Sequence, residues 1–217
     1  MYFASRTRAG KQLATLLGDY KSTDSVIIAL TDGGVVVGAQ IAAELHCPLM
    51  LMLMEDIKIP GEPSVLGVVD QNGGFTYNDM YSTGELESLE SEYRGIIEQE
   101  KMEQWHQLNR ILGDGGILKE DIVKNKVVIL VADGLSNGLS LIAASNYLKK
   151  IAIKRLVIVT PLASVEAVDK MHVLADEIHI ITVMDTLMEV NHYFEKNDIP
   201  SRDTIISILK NAIKNWQ

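Results

Sequence analysis

The chain has 217 residues, 47% of them hydrophobic and 23% charged, with a formal net charge of −9. That length suits one large domain or a domain with a modest insertion, and the composition is ordinary for a soluble globular protein. The negative balance argues against nucleic acid or an anionic membrane surface as main partner, and no apolar stretch approaches the ~18 residues of a membrane span.

The N-terminus, "MYFASRTRAGKQLATLLG", starts basic but lacks a long apolar core and a small-residue cleavage site, so it reads as a folded helix and not a signal peptide. A helix over 5–18 has Leu13, Leu16 and Leu17 inward. A single cysteine, Cys47, permits no internal disulfide and fits a reducing, cytoplasmic setting; it reads as a buried thiol. "SVIIAL" (25–30) is a continuous apolar strand. "TDGG" follows, then a helix through "VVVGAQIAAEL", then a buried strand "PLMLMLM" (48–54).

The alternation breaks at 56–80. "KIPGEPS" is a turn-rich loop, and "VLGVVDQNGGFTYN" reads as a hairpin closed around "DQNGG". An acidic helix over 82–112 turns Leu86, Leu89, Tyr93, Ile96, Trp105, Leu108 and Leu112 inward, and "GDGGILKED" ends it. Strand 127–132 then leads through the loop 133–138 to a helix reaching about Lys150. Strand 155–161, helix 164–173, strand 177–183 and a C-terminal helix over 202–215 follow.

Strand–helix alternation of this kind means an α/β fold with a doubly wound, mainly parallel sheet, here one domain over 1–217 with a hairpin-plus-helix hood at about 56–112. Ligands of such sheets sit at the carboxyl ends of strands. Three loops therefore matter: "TDGG" (31–34), "EDIKIPGEP" (55–63) and "ADGLSNGLS" (132–140). His46, His106, His172, His179 and His192 are scattered without metal-ligand spacing, so any metal site is unknown. There is no G-x-S-x-G and no P-loop.

In that order, the loops resemble the type I phosphoribosyltransferase family. Its main loop reads roughly V-D-D-G-x-x-T-G-x-T, against "VADGLSNGLS" (131–140) here. "FASRTRAGKQLA" (3–14) is similar to the F-x-x-R-x-x-A-G-x-x-L-A start of one subgroup. "TDGGVVV" (31–37) stands against P-R-G-G-V-x-V, and "EDIKIPGEPSVLGVV" (55–69) against R-K-I-x-x-P-x-x-P-E-x-A-x-G-A-V. "PLASVEAVDKMHVLADE" (161–177) echoes a C-terminal piece of the same subgroup.

The resemblance implies transfer of phosphoribosyl from phosphoribosyl pyrophosphate (PRPP), usually with Mg²⁺, to a nitrogen base. It makes Asp133 the catalytic acid and Gly134, Leu135, Ser136, Asn137, Gly138, Leu139 and Ser140 the 5′-phosphate cradle. Thr31, Asp32, Gly33 and Gly34 become the pyrophosphate loop, and Glu55, Asp56 and Lys58 the hood-loop positions. A cradle of backbone N–H groups at a helix N-terminus needs only glycines and small polar residues, which are present.

The rest of the site departs from the pattern. Ala132 stands where the first of two ribose-holding acids belongs. Asp32, Glu55 and Asp56 stand where cations would steady pyrophosphate. At an effective dielectric of ~20, two unit charges ~6 Å apart interact by ~3 kcal/mol, so each reversal is costly. The four acids Asp32, Glu55, Asp56 and Asp133 are expected to converge in one acidic cleft.

Three readings stay open. One is a degenerate phosphoribosyltransferase-fold protein with impaired or lost transfer and a binding or regulatory role. Another is an active transferase with an atypical site using Mg²⁺, and the last an unrelated α/β enzyme. The expected ligand is a small-molecule phosphate or sugar phosphate. A homodimer is expected from the Met-rich strand and the apolar side of helix 82–112.

Overall fold

The structure, a computed structural model, describes residues 3–112, 118 and 120–214; most of the segment expected to end the long helix, and residue 215, lie outside them. The elements are α1 Arg6–Leu16, β1 Ser25–Ala29, α2 Asp32–Leu45, β2 Leu49–Leu51, β3 Met54–Ile57, β4 Gly67–Asp70, β5 Phe75–Tyr77, α3 Thr83–Leu112, α4 Glu120–Val123, β6 Val127–Val131, α5 Leu139–Leu148, β7 Arg155–Ser164, α6 Val165–Leu174, β8 Glu177–Met184 and α7 Arg202–Lys214. Five strands form one parallel sheet in the order β2-β1-β6-β7-β8. Strands β1 and β6 are apolar at every position except Ser25 and buried throughout, as sheet strands covered on both faces must be.

Alternate residues of these strands feed two cores. Ile27, Ala29, Ile129, Val131, Val157 and Val159 join Leu13, Leu17 and Ile41 from α1 and α2 on one face. Val26, Ile28, Val128, Leu130 and Ile158 join Leu141, Ala144, Ala167 and Met171 from α5 and α6 on the other. The doubly wound α/β architecture is therefore present as expected. Side-chain caps fix where three helices begin: Ser5 accepts from Arg8 N, Thr31 from Gly34 N and Ser164 from Ala167 N.

The hood differs from expectation in detail. The predicted strand 48–54 is two strands. It leaves the main sheet after Leu51, and Leu53 N is taken by the Gln71 side chain. Met54 then opens a separate antiparallel sheet, β3-β4-β5. Glu55 and Asp56, expected in a loop, are thus strand residues opposite Val69 and Val68. The hairpin β4–β5 is present, and Asp70 closes it by accepting from Asn72 N and Gly74 N.

Two predicted inward residues face out. Leu16 is exposed, while Leu13 and Leu17, one helical turn apart, are buried. On α3, Ile97 is 2% exposed and Ile96 41%. The backbone leaves helical geometry at Tyr93, and the inner stripe continues through Ile97, Trp105 and Leu108. The Met-rich strand offers no dimer surface, because Met50 and Met52 are core residues.

This inner face makes a direct prediction. Ile97→Ala should cost about 2–4 kcal/mol in urea unfolding, and Ile96→Ala under about 0.5 kcal/mol. Equal costs would mean that α3 does not pack on the core through Ile97.

Candidate functional site

The site is built where β1 and β6, hydrogen-bonded neighbours in register, end side by side. After β1, Thr31 caps α2 and Asp32-Gly33-Gly34 form its first turn. After β6 come Ala132 and Asp133. Thr31 Oγ1 accepts from Gly34 N at 2.8 Å and donates to Asp133 Oδ1 at 2.7 Å, so one hydroxyl ties the two loops together. A methyl group at Gly33 would fall on the Asp133 carboxylate, and one at Gly34 would lie 2.8 Å from the Val131 carbonyl oxygen. Both glycines are demanded by the close approach of the loops.

Asp133 is not a free carboxylate. Its other oxygen, Oδ2, receives Arg6 Nε at 2.6 Å, and Arg6 and Asp133 are only 1% and 5% exposed. The remaining guanidinium nitrogens donate to Asn197 Oδ1 and Asn191 Oδ1, and the group lies 4.3 Å above the Phe194 ring. A buried charge is tolerated only when paired and hydrogen-bonded, and Arg6 meets that condition with partners from two distant chain segments. The expected catalytic acid thus has both carboxylate oxygens engaged in this arrangement. Ala132 beside it is buried, and its side chain carries no polar atom.

Asp32 links the expected acids: its charge is felt by Glu55, and it feels that of Asp133, while Arg202, at the start of α7, places its guanidinium on Asp32 Oδ1. Burial pushes the Asp32 carboxyl up, Arg202 pulls it down, and the charge of Asp133 adds to the rise. Glu55 is raised by burial and then by Asp56. Asp56 itself alternates to the opposite face of β3. There it shares a side with Val68, which packs on Leu139 and Ala143, and it is exposed, as is Lys58. The uniformly acidic cleft is corrected accordingly: two of the three linked carboxylates carry their own arginines.

The segment 134–140 forms a cradle, though not from all seven residues. Leu135 is a core residue whose N–H is bonded to Leu162 O, and Leu139 N is taken by Asn137 Oδ1 at 3.1 Å. These two offer no open donor. Among the described residues, the N–H groups of Ser136, Asn137, Gly138 and Ser140 find no hydrogen-bond partner. Gly138 adopts φ +72°, the left-handed conformation glycine permits, immediately before α5. A turn of open N–H groups at a helix N-terminus suits a singly bound oxyanion.

Arg6 lay inside the quoted "FASRTRAGKQLA" stretch. Its place on the helical face shared with Ala9, Gly10, Leu13 and Ala14, which Arg8 does not share, was the available signal. Arg202, Asn191 and Asn197 carried none, because nothing in the sequence says that the chain's two ends meet.

Two measurements probe this arrangement. Arg6→Met should cost about 3–5 kcal/mol by chemical denaturation, since it strands Asp133 without its cation; a loss below 1 kcal/mol would mean the pair is not buried in solution. Asp198 accepts from Arg6 N, Thr7 N and Thr7 Oγ1 and anchors the start of α1. Burial alone would raise its carboxyl, but these donors outweigh burial and hold it below the usual range. A depressed carboxylate contributes stability above its unfolded pKa of about 4 and loses it as pH falls through the folded value. Asp198→Asn should therefore cost about 1 kcal/mol at neutral pH and flatten the acid limb of the stability curve; an unchanged acid limb would exclude this role.

Comparison with known proteins identifies the family and the fold. Residues 4–194 match the family model of the phosphoribosyl transferase domain. Over 97% of its length the chain superposes on 99% of the Thermus thermophilus protein TT1426, with a TM-score of 0.75 and 26% identity. A purine phosphoribosyltransferase from Pyrococcus horikoshii shares the fold at 16% identity and a TM-score of 0.50, over 92% of this chain and 96% of that one. A Mycobacterium tuberculosis protein named "Putative phosphoribosyl transferase" is 21% identical over 99% of this chain. The chain spans about half the length of that curated relative, 48%. By the extent of the family match and the site it surrounds, this chain belongs to the phosphoribosyl transferase domain family.

Proposed function

We propose that the chain is a phosphate- or sugar-phosphate-binding member of its family in which efficient PRPP-dependent transfer is impaired or lost, and that it serves a binding or regulatory role. The observation that carries this reading is the clamp on Asp133: both carboxylate oxygens are engaged, by Arg6 and Thr31, at 5% exposure. A ribose hydroxyl would have to displace a buried charge-assisted hydrogen bond to reach it. Ala132 supplies no second acid.

The same residues do not fit Mg²⁺. The Ala132 side chain has no ligating atom, and a cation beside Asp133 would face the Arg6 guanidinium. On the pyrophosphate side, the acid Asp32 holds the Arg202 guanidinium, leaving that cation committed. What remains well suited to a ligand is the backbone cradle at Ser136–Ser140, which takes one phosphate. A homodimer is kept as part of the proposal on the exposed Ile96 and Met102 of α3.

Three assays test the reading. Incubation with PRPP, Mg²⁺ and a panel of bases should release no pyrophosphate above background. Calorimetry should give measurable binding of ribose 5-phosphate or inorganic phosphate and weaker binding of whole PRPP. Micromolar PRPP binding with turnover would instead establish the alternative, an active transferase with an atypical site. Light scattering that returns a monomer at micromolar concentration would remove the dimer.

A further inference from the structure

Behind the cradle, three successive backbone carbonyls point the same way. Leu135 O accepts from Ser164 N at 2.9 Å, Ser136 O from the Ser164 hydroxyl, and Asn137 O from Lys170 Nζ at 2.6 Å. All three donors belong to the end of β7 and the first two turns of α6. In a trans peptide the C=O and the following N–H point in opposite directions. Holding the carbonyls of 135, 136 and 137 from behind therefore turns the N–H groups of Ser136, Asn137 and Gly138 to the front. Those are three of the N–H groups that find no partner among the described residues. The open donors are thus a consequence of where their carbonyls are tied.

Lys170 is fitted to this task. Its stem runs beneath Gly138, where an added methyl group would lie 2.9 Å from Lys170 Cδ. Its ammonium also donates to Asp79 Oδ1 at 2.8 Å and Glu166 Oε1 at 3.0 Å, which hold it in place. Asp79 follows β5, so one cation joins the hood, α6 and the cradle. Ser164 is equally committed: its oxygen accepts from Ala167 N as the cap of α6 while its hydroxyl donates to Ser136 O. A cation bonded to a peptide carbonyl also polarises that peptide, making the Gly138 N–H a better donor to an anion.

We propose that Lys170 and Ser164 are positioning residues, a rear strut that fixes the Ser136–Gly138 backbone with its N–H groups turned to a phosphate. This deepens the phosphate-binding reading and rests on it for the ligand. The orientation of the backbone does not depend on a ligand, so the two can fail separately.

The test uses ¹⁵N-labelled full chain, first without ligand and then with inorganic phosphate. Lys170→Met keeps the stem beneath Gly138 and removes the ammonium. It should shift or broaden the Gly138 amide resonance in the ligand-free protein and weaken phosphate binding about tenfold, a loss that persists at high salt. Lys170→Arg should retain both properties. Ser164→Ala should displace chiefly the Asn137 amide, and Ser164→Thr, which keeps the hydroxyl, should restore it. An unchanged Gly138 amide in an otherwise native Lys170→Met spectrum would overturn the proposal, whether or not phosphate binds. A Met-variant loss that vanishes at high salt would also overturn it, by reducing Lys170 to a distant charge. Should wild-type protein bind no phosphate while the amides move as expected, the strut stands and the ligand reading falls.

Discussion

The structure around the site depends on one buried cation. Arg6 enters α1 with almost no exposure, and a guanidinium cannot shed its charge in a protein, so its surroundings must satisfy it. Asp133 supplies the counter-charge, Asn191 and Asn197 receive the remaining donors, and Phe194 covers one face. These partners come from the loop after β6 and from the segment leading to α7. The N-terminal strand residue is drawn to the same segment, with Phe3 N donating to Tyr193 O and Glu195 N to Phe3 O. Gly33 must lack a side chain because the pair occupies the space its Cβ would need. Asp133, Gly33 and the C-terminal crossing are thus consequences of burying Arg6.

That constraint changes the electrostatics expected from the sequence. Read along the chain, the loops present acids where cations are wanted, and the sum is repulsive to any polyphosphate. In space, Arg6 and Arg202 arrive from positions 127 and 170 residues away from the acids they meet. Asp32, Glu55 and Asp133 against two guanidiniums leave one net negative charge. The two pairs differ in character. Arg6–Asp133 is sealed from water. Asp32 and Arg202 are each about a third exposed, at 37% and 31%, so solvent screens the pair and it contributes little to stability.

The main sheet was legible because a strand covered on both faces has no choice of composition, and "VVILV" or "SVIIA" bounded by turn residues admits few other readings. The hood was legible only as a hairpin. Its third strand, Met54–Ile57, carries two acids and half-exposed residues, so it lacks the apolar run that marks the others. Leu16 and Ile96 were misplaced because adjacent apolar residues, Leu16-Leu17 and Ile96-Ile97, leave the helical phase undecided by one residue. The loops 31–34 and 133–138 are neighbours because β1 and β6 pair side by side, which strand order alone makes readable. Their partners did not follow, because Arg6, Arg202, Ser164 and Lys170 act across distances that local spacing does not encode.

The two halves of the site also differ in what holds them. The ribose and pyrophosphate positions depend on side chains at 132, 32 and 55, and each can change without disturbing the sheet. The cradle depends on carbonyls of Leu135, Ser136 and Asn137 tied to the end of β7 and to α6. Those ties are part of how the loop closes against the sheet, through the bridge between Leu135 and Ala163. A chain that keeps this fold keeps the open N–H groups as a by-product of its own backbone bonding. On the reading proposed above, loss of transfer chemistry therefore need not bring loss of phosphate affinity, because the first rests on side chains and the second on backbone bonding.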